Sequence, residues 1–409
     1  MAGTVSQVSG EAKNPENPNP WPAVSMLAFG VFVVGTGEFV LAGLLPLLSR
    51  SLGVPPSVAG QVITLFALTC AIAGPVLTTA TRTWERRRVL VVAASVYLAG
   101  SVWTAVAPSY VQVLLGQVVA ALGVGLFVPT ATVTAAAMAP PAHRGRAIAL
   151  VVSGFTAATA LGAPLGTAFG GMFGWRSTMW LATGLAAVGA VGVGVLIPRR
   201  TVVAMATSLR DQLRFLVEPR VISVLGVTLL AFTAVYMPYT YMGVIFDGAT
   251  QGSSLYLAGL MTTLGVVGTV GNLGAGFLAD RIGGPRVVAI ALIWLIISML
   301  VLRFATEHLA WAFAMIAFYG VAAFAITTPQ QHRLISLNPE AAGGLISLNQ
   351  AVLYLAIALS GSIGGLGIEW AGADNLGFVA AVLAAFALLL SLSMTRGPKA
   401  AGSVEVGSR

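Results

Sequence analysis

Twelve apolar runs, each of about 20 residues or more, recur along the chain at 22–48, 58–79, 89–107, 111–138, 147–173, 177–197, 221–246, 254–278, 287–304, 309–328, 342–367 and 376–394. Coiled into a helix, a run of that length crosses the roughly 30 Å hydrocarbon layer of a bilayer. Glycine and proline inside the runs do not end them, because membrane helices tolerate both. Charged residues are 8% of the 409, where a soluble domain carries about 25%. With a mean hydropathy of +0.91, a soluble protein is excluded. The class that fits is an all-α membrane protein with 12 spans.

A net charge of +8 raises the question of nucleic acid, and the placement of the basic residues answers it. If the spans alternate in direction, 18 of the 21 lysines and arginines fall on one side. Arg50, Arg176 and Arg303 fall on the other. That asymmetry is the positive-inside pattern, and it predicts a membrane protein with both termini cytoplasmic. Such charges orient the chain in a lipid bilayer, and no nucleic-acid partner is expected. Residues 1–21, rich in Asn and Pro and without a signal-peptide pattern, read as a disordered cytoplasmic arm. The single cysteine, Cys70, gives neither a disulfide framework nor a metal site.

The hydrophilic stretch 199–220 divides the spans into bundles at 22–198 and 221–395, with a cytoplasmic tail at 396–409. Within it, Leu209, Leu213 and Leu216 have the spacing of a short interfacial helix over 208–216. A faint repeat links the halves. The second span ends in Gly74 followed by Arg86 to Arg88, and the eighth in Gly276 followed by Asp280, Arg281 and Arg286. Duplicated halves are how many secondary transporters are built.

Glu38 is the acidic residue placed deep in an apolar run, near the middle of the first span. A carboxylate at that depth costs at least ~2.5–3.5 kcal/mol, so it faces an aqueous cavity, finds a partner or stays protonated. Each option ties its proton to conformation. One reading is a proton-coupling site; the other is a side chain satisfied by neighbours such as Thr36 that only fixes helix packing. Gln61, Gln117, Phe127, Tyr236, Tyr239, Asn349 and Tyr354 are candidates to line a mostly apolar substrate cavity, while each alone equally suits ordinary packing between helices. In the fifth span Gly154, Ala158, Gly162, Gly166 and Gly170 are four apart, with Pro164 among them. Each step of four drifts about 40° around the helix, so the stripe forms a slowly winding groove for close backbone approach. A small-rich segment of the other half, 265–276, is its expected partner. No catalytic constellation, metal-ligand spacing or phosphate-cradling loop occurs, so neither an enzyme nor a resident cofactor is expected, and a proton gradient is the energy source left.

Several of these segments match a known pattern. Gly276-Phe-Leu-Ala-Asp280-Arg281-Ile-Gly283, with Arg286, resembles the loop signature of the major facilitator superfamily. Gly154 followed by Gly162-Ala-Pro164-Leu-Gly166 resembles its antiporter motif, which goes with exporters. Gly35-Thr-Gly-Glu38-Phe-Val followed by Gly43-Leu-Leu-Pro46 is similar to the first span of efflux members, as are Pro329-Gln-Gln and Leu348-Asn-Gln further on. The likeness covers roughly 22–395 and is nearest the twelve-span drug:proton antiporter branch, around the chloramphenicol-efflux and arabinose-efflux-like exporters. The chain departs from it at Thr78, where the first copy of the loop has Asp, and at Gly116-Gln117, where an intramembrane Arg is frequent.

The resemblance implies a major facilitator fold of two pseudo-symmetric six-helix bundles, with proton coupling carried by Glu38. It implies a cytoplasmic gate at Gly276, Asp280, Arg281, Gly283 and Arg286, braced by the loop 82–88. The expected activity is export by a monomer of a small hydrophobic compound, drug or antibiotic, chloramphenicol-like, in exchange for protons by alternating access. The alternatives are a proton-coupled exporter of sugars or other small metabolites, an uncoupled facilitator, and a receptor of transporter shape without flux.

Overall fold

A computed structural model gives the fold of residues 20–198, 214–338 and 341–395. Twelve membrane-length helices make up these residues: α1 Trp21–Leu52, α2 Pro56–Ala80, α3 Arg86–Val106, α4 Tyr110–Met138, α5 Pro141–Phe173, α6 Trp175–Leu196, α7 Pro219–Thr240, α8 Ser254–Ile282, α9 Gly284–Ala305, α10 Leu309–Leu337, α11 Ala342–Ala371 and α12 Ala373–Met394. Most of the expected N-terminal arm, the tail 396–409, and most of both the linker and its interfacial helix lie outside the described residues; of that helix, Phe215–Val217 is a short 3-10 turn. Prolines in the first turn of α2, α5, α7 and α9 start helices where an amide would lack a partner anyway.

Several helices differ from the apolar runs that mark them. α5 begins at Pro141 and α10 continues to Leu337, beyond the last run residue, Thr328. Their extra turns carry Arg144, Arg146, Gln330 and Arg333, whose polarity hides them from a hydropathy window although the backbone stays helical. α7 stops at Thr240, not at residue 246, and two short turns, Met242–Ile245 and Asp247–Thr250, follow. The stop falls at Tyr241, whose ring is fully buried between Gly60 of α2 and Gly364 of α11 and whose hydroxyl donates to the Gly361 oxygen at 2.6 Å. In α5 one wide π-type turn, Ala158–Gly162, interrupts the α-helical hydrogen bonding.

The helices before and after the linker are related by a shift of six. α5 and α11 each end in a glycine in the same positive-φ conformation, Gly174 at φ 86, ψ 153 and Gly372 at φ 84, ψ 157. An L side chain there is strained, so both sharp exits need glycine. The halves meet along three seams: α2 on α11, α5 on α8, and α1 on α7. The joints run from mid-membrane to the end where α1 finishes. There Ser57 Oγ donates to Glu369 Oε1 at 2.7 Å, and Arg50 pairs with Asp247 at 3.5 Å.

Candidate functional site

Glu38 lies just past the middle of α1, only 8% exposed, and is the one acidic side chain buried among the described residues. It faces the second half and not lipid: Tyr354 Oη of α11 donates to its Oε2 at 3.3 Å. The next residue is held as well, because Tyr239 Oη of α7 donates to the Phe39 main-chain oxygen at 3.1 Å. An aromatic chain crosses the seam here. The Phe39 ring meets Phe155 of α5 and Tyr239 edge-on at 5.8 and 6.0 Å, and Tyr236 stands edge-on to Tyr239 at 6.1 Å and beside Phe232 at 6.2 Å. Edge-to-face pairs add about 0.5–1.5 kcal/mol each beyond the area they bury.

On its own half, Tyr97 of α3 reaches the Val33 oxygen of α1 at 3.5 Å. It passes over Gly37, where any Cβ would collide with its hydroxyl. The titratable side chains near enough to sense a charge on Glu38 are Cys70, Tyr97, Tyr236, Tyr239 and Tyr354. No lysine, arginine or histidine among the described residues lies at this depth of the spans. A charge on Glu38 therefore has a phenol and no cation to offset it.

Of the residues expected to line a cavity, Tyr236, Tyr239 and Tyr354 gather around Glu38; the others are placed elsewhere. Gln61 sits near the start of α2, donating to the Ser57 oxygen at 3.3 Å and accepting from Ser362 Oγ of α11 at 3.5 Å, so it belongs to the joined end of the seam. Gln117 is buried between α3 and α4 and donates to Thr104 Oγ1 at 3.1 Å. Phe127 packs against Gly30 and lines a small apolar crevice with Tyr97 and Ala186 inside the first half. Asn349 is buried inside the second half, accepting from Thr228 Oγ1 of α7 at 3.2 Å. Each of these polar groups finds a partner on a neighbouring helix. Phe39, Phe155 and Phe232 complete the site and were not singled out from sequence; the signal available was the position of Phe39 next to Glu38.

The glycine stripe of α5 packs differently from its expected arrangement. Gly154 lies against the main chain at Ala28 and Phe32, Gly162 against Thr36, Gly166 against Val40 and Gly170 against Leu44, all on α1 of the same half. Pro164, also buried, lies between them. The opposite half instead meets another face of α5, where Ala160 touches Gly265 and Thr167 Oγ1 lies 3.5 Å from Met261 Sδ. Residues two apart point about 200° apart on a helix, so Gly162 and Ala160 cannot serve the same neighbour. Thr36 Oγ1, pressed onto Gly162, is buried without a hydrogen-bond partner.

At the end where α8 leaves the bilayer, Asp280, Arg281, Gly283 and Arg286 are exposed and Gly276 packs beside Thr328. Gly283 turns the chain into α9 at φ 90, and the Arg281 guanidinium lies over the Phe277 ring at 4.3 Å. Thr78, at the matching place on α2, donates to the Gly74 oxygen of its own helix at 2.6 Å.

A sequence model of the Major Facilitator Superfamily matches residues 27–361. The chain is 29% identical over 371 residues to the inner membrane transport protein YdhP of Escherichia coli O157:H7, covering 90% of this chain and 95% of that one. It is 31% identical over 379 residues to a chloramphenicol resistance protein of Streptomyces lividans, covering 88% and 94%. In fold it is similar to a bacterial homologue of the human lysosomal transporter Spinster, with a TM-score of 0.74 at 17% identity over 94% of this chain and 100% of that one. With twelve membrane-length helices and a family match across most of its length, the chain belongs to the Major Facilitator Superfamily and is a multi-pass membrane transporter, not an enzyme.

Proposed function

We propose that the protein exports a small, largely hydrophobic compound, of the drug or antibiotic kind, in exchange for protons. One observation carries this reading: the single buried carboxyl among the described residues, Glu38, sits where the two halves touch, among aromatic rings and away from any cation. A carboxyl in that place exchanges its proton with water only when the seam around it opens, so the proton and the rocking of the halves are linked. Tyr236, Tyr239, Phe39 and Phe155 offer apolar faces with a few hydroxyls, the lining that suits a hydrophobic solute. The chloramphenicol resistance protein among the relatives points the same way.

In this reading the protein works as a monomer in the inner membrane, with the basic end cytoplasmic and no cofactor besides the proton gradient. The joined end, from Glu38 to Arg50 and Asp247, then faces outward. Expression in a pump-deficient bacterium, with a compound panel, tests it. Expected are raised resistance to at least one hydrophobic compound, extrusion abolished by a protonophore, and loss of coupled extrusion in Glu38→Gln. Undiminished proton-driven extrusion by Glu38→Gln overturns the coupling role.

A further inference from the structure

The two tyrosine contacts on α1 differ in one chemical respect. Tyr239 donates to the carbonyl of Phe39, whose strength as an acceptor is the same at every pH. Tyr354 donates to the carboxyl of Glu38, which accepts more strongly when ionised than when protonated. Both bonds cross between the halves. One of the two is therefore sensitive to a proton and the other is not.

The helix that carries Tyr354 is the one that makes the α2 seam. Gly361, Gly365 and Glu369 of α11 meet Thr64, Ser57 and Gln61 of α2, and they follow Tyr354 at helical spacings of seven, four and four residues. Such spacings keep all four on nearly one face. A change in the hold on Tyr354 thus acts along the face that closes the joined end. At 3.3 Å the bond is long beside the roughly 2.5–2.7 Å of a charge-assisted O–H···O⁻ contact, so it has room to tighten.

We propose that Tyr354 is the positioning residue through which the proton on Glu38 changes the grip between the halves, with Tyr239 as the pH-independent grip beside it. This rests on the reading of Glu38 as a proton site. The titratable groups facing Glu38 are Cys70 from α2, Tyr97 from α3, Tyr236 and Tyr239 from α7 and Tyr354 from α11. Tyr354 is the one among them hydrogen-bonded to the carboxyl.

The test is a spin-label distance measurement on the full chain in lipid nanodiscs, without substrate, from pH 5 to pH 9. Labels go on Ser109→Cys and Ala371→Cys, exposed positions at the joined end of the two halves. Native Cys70, 1% exposed in the joined arrangement but beside the seam that opens, is replaced by Ala in every protein compared. The wild type is compared with Tyr354→Phe, Tyr239→Phe and Glu38→Gln, substitutions that keep the ring or the shape.

The expected result is a joined-to-open ratio in Tyr354→Phe about tenfold below wild type at high pH, closing on it as pH falls. Tyr239→Phe is expected to lower the ratio about fivefold at every pH, and Glu38→Gln to remove the pH response. If Tyr354→Phe follows the wild type throughout, or falls by a constant factor as Tyr239→Phe does, the role of Tyr354 is overturned while Glu38 keeps its own. If the wild type itself shows no response to pH, the proton reading of Glu38 falls and this inference falls with it.

Discussion

Gly265 of α8 rests directly on the main chain of Ala160, inside the wide turn of α5. A Cβ on Gly265 would lie 2.5 Å from the Ala160 Cα and 2.9 Å from its nitrogen, atoms that cannot swing aside. Close approach of this kind drives helix association in membranes, where water gives no hydrophobic push. Gly265→Ala is expected to prise the α5–α8 seam apart at a cost of about 1–3 kcal/mol. Substrate extrusion at matched expression should fall about tenfold or more; unchanged extrusion would show that the seam yields.

Arg333 is 7% exposed in the last turns of α10, where its Nη1 donates to Gln330 Oε1 at 3.2 Å and to Ser391 Oγ of α12 at 3.0 Å. Gln330 Nε2 in turn donates to the Val224 oxygen of α7 at 2.7 Å. Gln330→Leu strips a partner from a buried cation and from a main-chain oxygen together. A loss of about 2–4 kcal/mol is expected, since charged groups left short of partners cost more than neutral ones. A clear drop in Tm of the detergent-purified protein reads it, and a Tm equal to wild type contradicts the network.

The Thr36 hydroxyl has no partner in the joined arrangement. Thr36→Val keeps the shape and removes the stranded group, so this arrangement gains up to about 1 kcal/mol or stays level. The purified variant should melt no lower than wild type. A lower Tm means that the hydroxyl is bonded after all.

Arg50 and Asp247 make an ion pair at the joined end, but their side chains are 63% and 56% exposed. Pairs in water contribute about 0–1 kcal/mol and weaken with salt. Arg50→Gln is expected to change transport less than about threefold, with the difference shrinking further in 0.5 M NaCl. A large loss that salt does not reduce would give this pair a weight its exposure denies it.

The number of spans was legible because lipid imposes one rule on every crossing, a long apolar run. Glu38 was legible for the same reason, since an acid in such a run stands out by its cost. Its partner was not: Tyr354 lies 316 residues away, and no pattern within one helix says which tyrosine of another half will face it. Gln61, Gln117 and Asn349 stand out equally in their runs, yet each is satisfied by the helix beside it. A run reveals that a polar group is buried without revealing toward which neighbour it points. Arg333 failed in the opposite sense, because a cation near a span end reads as loop while the helix continues past it.

The wide turn in α5 has a consequence for the small residues on either side of it. Five positions at intervals of four would, on an unbroken α-helix, spiral through about 160° between Gly154 and Gly170. One extra residue taken up by the π-type turn winds the later positions back by about 100°. The net drift from Gly154 to Gly170 is thereby cut to about 60°, which lets a single rod, α1, lie along the stripe from Ala28 to Leu44. With α1 held along one flank, Ala160 and Thr167 on the other are left to meet Gly265 and Met261 of the opposite lobe.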